Sequence, residues 1–132
     1  MTQQAPPPSH EELQQRLAVV LKTRSDPEWF ARTILGLDTL YDKQVEMLYA
    51  VRDAERAHKK IMLAWSDAEL EAARLLGSDQ VTVLGANGVG KDWTIGKILI
   101  PWWVCAHADT RKAKVVLTAP THRQISEIVW RE

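Results

Sequence analysis

A chain of 132 residues, 45% hydrophobic and 26% charged, has the size and composition of one ordinary globular domain and is neither disordered nor fibrous. Its 17 basic and 17 acidic residues cancel, so no global basic field announces a nucleic-acid partner, and such a contact must come from local geometry. The longest apolar stretch, 98–106, is interrupted by Pro101 and falls far short of the roughly 20 residues that cross a bilayer, which argues against a membrane partner.

Residues 1–9 lack the positive start and apolar run of a secretion signal, and their Gln and Pro content reads as a flexible leader. The expected location is therefore intracellular, in the cytoplasm. The single Cys105 excludes an internal disulfide or a cysteine-based metal cluster, and a buried small hydrophobe is its expected role. His10, His58, His107 and His122 show no metal-ligand spacing.

Residues 10–78 read as a helical region. Ser9 and Glu12 form a capping box ahead of Leu13, Leu17, Val20 and Leu21, which predicts a helix to about Thr23. Asp26 then serves as an N-cap, Pro27 occupies the first helical position, and Gly36 closes the far end in a left-handed conformation. A third helix begins near Asp42 and places Val45, Leu48, Tyr49 and Val51 on one side before a charged run, 52–60, that reads as a solvated face. Ser66 and Glu69 make a second capping box for a short helix that stops at Gly77.

From residue 79 the texture changes. Val81-Thr82-Val83-Leu84 is rich in β-branched residues and is followed by a glycine-rich loop and a helix over Lys91 to about His107, which Pro101 should bend or end. A second such run, Lys114-Val115-Val116-Leu117-Thr118, precedes a new helix from His122. Both runs are apolar without strict alternation, as in parallel strands covered on both faces, so the predicted fold is α/β, a β-α-β-α unit with a right-handed crossover in residues 79–132. Two strands are too few for an independent sheet, and the last helix has no C-terminal signal. A longer protein truncated at its C-terminus is the expectation.

The chemistry converges on Gly85-Ala86-Asn87-Gly88-Val89-Gly90-Lys91. Glycines let successive backbone N–H groups turn inward around an anion, a helix start adds its positive end, and the Lys91 ammonium reaches the β and γ phosphates. The spacing G-x-x-x-x-G-K arises by chance in about 4% of chains this long, so its placement between an apolar run and a helix carries most of the weight. Asp92 stands where Ser or Thr would normally offer Mg2+ a hydroxyl. As a hard oxygen ligand it is a candidate for Mg2+, and as an acidic residue in a first helical turn it is equally ordinary. Trp93, Trp102 and Trp103 read as core rather than as base-stacking platforms.

Together these segments resemble the N-terminal part of the ATPase domain of phage terminase large subunits, the motors of viral genome packaging. Asp26-Pro27-Glu28-Trp29-Phe30 is similar to the family's helical lead-in, and Tyr41-Asp42-Lys43-Gln44 to its adenine-recognition segment. Residues 83–93 are similar to its phosphate loop, the Walker A motif, and Thr118 to Gln124, through Trp130-Arg131-Glu132, to the strand and helix that follow. The resemblance implies ATP and Mg2+ as cofactors, and a hydrolase that translocates double-stranded DNA as a homo-oligomer with a small subunit and a portal. Gln44 would match the N6 and N7 edge of adenine, with Tyr41 covering the ring. The phosphates would be held by Gly85 to Asp92, with Lys91 catalytic, while Thr118, Thr121 and Arg123 would contact DNA or report the nucleotide state. The acidic motif that completes the family's Mg2+ site and the nuclease would lie after Glu132, so this chain alone is expected to bind nucleotide weakly and hydrolyse almost none. A helicase-type ATPase shares the same order of segments, and a non-enzymatic module that docks a partner through residues 10–78 is the alternative from another class.

Overall fold

The structure is a computed structural model that describes residues 7–75, 77–84, 90–108, 113–118, 123 and 126. Helix α1 (His10–Ser25) starts at Ser9, whose hydroxyl accepts from the Glu12 N–H while the Glu12 carboxylate accepts from the Ser9 N–H, at 3.2 and 2.8 Å. Helix α2 (Pro27–Trp29) runs directly into a π-helical turn (Phe30–Ile34), closed by a bond from the Leu35 N–H to the Phe30 carbonyl. Gly36 then turns the chain at φ +69°, a conformation that any residue with a Cβ adopts only under strain.

Asp26 sets the entry to α2. Its Oδ1 accepts from the Trp29 N–H at 2.9 Å and from the Tyr49 hydroxyl at 3.1 Å, while Lys22 reaches Oδ2 at 3.0 Å. Partial burial works against the ionised carboxyl, but the Trp29 N–H, Lys22 and Tyr49 outweigh it and hold Asp26 below its usual range. The same contact acts oppositely on Tyr49. Burial and the Asp26 and Glu28 carboxylates push its phenol up to about 12.

Helix α3 (Asp42–Met62) is the spine, and α4 (Asp67–Leu75) folds back on it through small side chains, with Ala54, Ala57 and Ala73 all buried. The third component is a continuous helical rod made of α5 (Lys91–Thr94), a π-helical turn (Ile95–Leu99) and α6 (Ile100–Ala106). Pro101 does not end the rod. The preceding turn has widened so that the Ile100 N–H bonds to the Ile95 carbonyl, and the proline falls at the start of α6, where its missing N–H is tolerated.

The core lies where α2, α3 and this rod meet. Phe30, Trp102 and Ala106 form one cluster and Ala31, Leu48 and Ile98 another, bridged by Leu35 and Leu99. Each large side chain fully removed from water here stabilises the fold by roughly 1.5–3 kcal/mol. The end of α1 is tied to the same core by the Trp102 indole N–H, which donates to the Thr23 carbonyl at 2.7 Å, and by Arg24, whose Nε donates to the Ala106 carbonyl at 2.7 Å. His107 closes the far end, with ring nitrogens 2.7 Å from Glu55 Oε1 and 2.8 Å from the Trp103 carbonyl. Leu13, Leu17 and Leu21, by contrast, are exposed along α1.

The predicted α/β fold with parallel strands is not what forms. Among the described residues there is no strand: 81–84 and 113–118 are irregular backbone, and Leu84 and Val116 are 90% and 84% exposed. A β-branched apolar run favours extended backbone, but a strand exists only when a neighbour completes its ladder and covers its faces. Cys105, expected to be buried, is exposed, because the face of α6 that enters the core is that of Trp102 and Ala106. No helix among the described residues is long and apolar enough to cross a membrane.

Candidate phosphate-binding cleft

A cleft of about 450 Å³ opens between α3, the segment 81–84 and the start of α5. This volume is within the range of small-molecule sites. Lys43, Gln44 and Met47 line it from α3, Val81 to Leu84 from the middle segment, and Gly90, Lys91 and Thr94 from α5. Far apart in sequence, Gln44 and Gly90-Lys91 therefore share one wall.

Their meeting is set by backbone chemistry. Gly90 caps α5 in the left-handed region, at φ +77° and ψ 19°, and its carbonyl accepts from both the Thr94 N–H at 2.9 Å and the Thr94 hydroxyl at 2.8 Å. Thr94 is wholly buried, so its hydroxyl serves this turn and is not a substitute for the missing metal-binding hydroxyl at Asp92. Beside this turn, Gln44 is buried, and its Oε1 accepts from the Tyr41 N–H at 3.0 Å in the first turn of α3. Its Nε2 faces Gly90 so closely that a Cβ built there would lie 3.2 Å away. Lys43, also on the rim, pairs with Glu46 at 2.6 Å, and this hydrogen bond raises the ammonium above its ordinary range.

Of the other sequence candidates, Tyr41 precedes α3 and is 72% exposed, while Asp92 is exposed on the first turn of α5. Thr118 and Arg123 are exposed and are not among the described residues that line the cleft. Gly85, Ala86, Asn87, Gly88, Val89 and Thr121 lie outside the described residues. Among the described residues no three His, Cys, Asp or Glu side chains gather as a metal-binding group.

Two features of the site escape a reading of motifs. One is the contact of Gln44 with Gly90, a tertiary approach that no local pattern encodes. The other is the apolar lining from Met47, Ala50, Val81 and Val83. Met47 was legible in part, since it lies one helical turn beyond Gln44 and faces the same way. No protein-family model matches the chain, and neither a curated protein nor a solved structure gives a significant match.

Proposed function

We propose that this cleft binds the triphosphate of a nucleotide, ATP being the one that the resemblance implies, and that the chain forms part of an ATP-driven motor for packaging double-stranded DNA. The observation that carries the reading is the convergence of Gln44, Gly90 and Lys91 on one cleft of nucleotide-binding size. The Lys91 ammonium neutralises charge on the phosphate oxygens, and the left-handed Gly90 brings backbone close to them without a Cβ in the way. The mixed lining suits such a ligand, with lysine at the rim for the anion and apolar side chains for the base.

Mg2+ fits this donor set in a limited manner. Asp92 offers a single carboxylate, and Mg2+ typically takes one or two carboxylates, with phosphate oxygens and waters supplying the rest. When bound, Mg2+ offsets the charge that develops on the transferring phosphoryl group. Contact with DNA falls to Thr118, Thr121 and Arg123 by resemblance alone.

The test is calorimetric titration of Mg-ATP into the chain and into Lys91→Ala. A charge-assisted hydrogen bond to phosphate contributes about 1.5–3 kcal/mol, so the variant binds roughly 10- to 100-fold more weakly. Equal affinities would remove the site. For the motor itself, DNA-stimulated hydrolysis in the whole protein disappears in Lys91→Ala, and its persistence would end the packaging and helicase readings together.

A further inference from the structure

We propose that Gln44 is a positioning residue: it fixes the phosphate-binding backbone at Gly90, and the cleft consequently takes a nucleoside triphosphate without reading its base through this amide. The inference rests on the cleft being a triphosphate site and departs from the role that the adenine-recognition segment suggests for Gln44.

A side-chain amide offers one acceptor oxygen and two N–H donors, and reading the N6 and N7 edge of adenine takes the oxygen and one donor together, in one plane. In this structure the oxygen already has a partner and the nitrogen lies beside the Gly90 backbone. Oε1 accepts from the Tyr41 N–H at 3.0 Å, one of the first-turn donors of α3 that has no partner within the helix. Nε2 is turned toward Gly90, 3.2 Å from where a Cβ would stand, and the whole residue is only 8% exposed. Turning the amide out to meet a base would break the bond to the Tyr41 N–H and open a gap against Gly90. Gly90 in its left-handed conformation sets the direction in which α5 begins, and Lys91 is the next residue into the cleft. Holding Gly90 therefore holds the lysine.

The remaining lining gives the base an unselective home. Met47, Ala50, Val81 and Val83 present apolar surface, and apolar surface accepts the π-face of any base without sorting hydrogen-bond patterns.

The experiment titrates ATP, GTP, CTP and base-free tripolyphosphate, as magnesium salts, into the wild-type chain, Gln44→Ala, Gln44→Met and Lys91→Ala, with folding checked by circular dichroism. The three nucleotides are expected to bind the wild type within about threefold of one another. Gln44→Ala weakens all four ligands by a common factor of about ten, and Gln44→Met, which refills the space against Gly90, recovers about threefold of that loss. A loss confined to ATP, with tripolyphosphate unchanged and no recovery in Gln44→Met, would overturn the positioning role. Should Gln44→Ala fail to fold, the wild type decides, because an ATP preference over GTP greater than about thirtyfold refutes base-blindness by itself. Failure of the underlying site is distinct: tripolyphosphate would then bind Lys91→Ala as well as it binds the wild type, or bind neither.

Discussion

Replacing Gly90 by alanine tests the geometry of the cleft with a single methyl group. Two costs follow from the structure. At φ +77° a residue with a Cβ is strained, a penalty of roughly 1–2 kcal/mol. The new Cβ would also stand 3.2 Å from Gln44 Nε2, and Gln44 is held at its other end by Tyr41, so the side chain must yield by a few tenths of an ångström against that bond, at a cost of about 0.5–1.5 kcal/mol. Against both stands a gain of about 0.4–1 kcal/mol from the stiffer unfolded chain. The net destabilisation is about 0.5–3 kcal/mol, centred near 2. Gly36 provides the control, because its φ of +69° incurs the backbone penalty while a Cβ there meets nothing within 4 Å. Gly36→Ala should therefore cost about 1 kcal/mol less than Gly90→Ala, a gap of roughly 3–5 °C in Tm for a domain of this size. Thermal unfolding followed by circular dichroism at 222 nm measures both. In a Gln44→Ala background the gap closes, since the clash has gone. Equal losses at the two glycines, or a gap that survives removal of Gln44, would refute the packing of Gln44 on Gly90.

Trp102→Phe removes the indole N–H that donates to the Thr23 carbonyl and leaves a buried acceptor without that donor, so it should lower stability by about 1–3 kcal/mol in a urea melt. In a Tyr41→Phe background, absorbance at 295 nm should show Tyr49 ionising near pH 12. Because that folded value is raised above the ordinary 10.0, the contribution of Tyr49 is fully present below pH 10 and is lost as the pH climbs toward 12, and a midpoint near 10 would contradict the Asp26 contact. Burial pushes Glu55 toward the neutral form, but Lys59 and His107 outweigh it and hold its carboxyl below 4.5. Its contribution is therefore present above that pH and is lost as the pH falls through the depressed value, so Glu55→Gln should flatten the acid limb of the stability profile, and an unchanged limb would count against the pairing.

Helix boundaries were legible wherever a cap encodes them locally. Ser9 with Glu12, Asp26 with Pro27, and Gly36 all act as their residue types predict, and each needs only atoms within a few residues. The box at Ser66 is realised with a shift: the Ser66 hydroxyl accepts from the Glu69 N–H, but the Glu69 carboxylate accepts from the Trp65 N–H one residue earlier. What failed was everything that depends on a distant partner. Val81 to Leu84 and Val115 to Leu117 have strand-like composition, yet composition carries no information about which segment will supply the ladder. The same limit applied to Leu13, Leu17 and Leu21, whose spacing announces a helix without saying what, if anything, covers it. At the cleft, Gln44 and Lys91 could be named from sequence, but the face-to-face approach of Gln44 and Gly90 is a property of how α3 and α5 pack.

The widened turn at Ile95–Leu99 has a consequence for how the chain tolerates change. Thr94, Ile98, Trp102 and Ala106 are all buried, a spacing of four residues, whereas an ordinary helix of 3.6 residues per turn would drift by about 40° at each such step. The wide turn absorbs part of that drift and helps keep the four side chains on the buried face. Substitutions within 95–99 that preserve volume should be accepted, but loss of a single residue there would rotate everything beyond it by about 100°. Trp102 would swing away from Thr23 and into water while Lys91 stayed at the cleft, disconnecting the binding end of the rod from its anchored end.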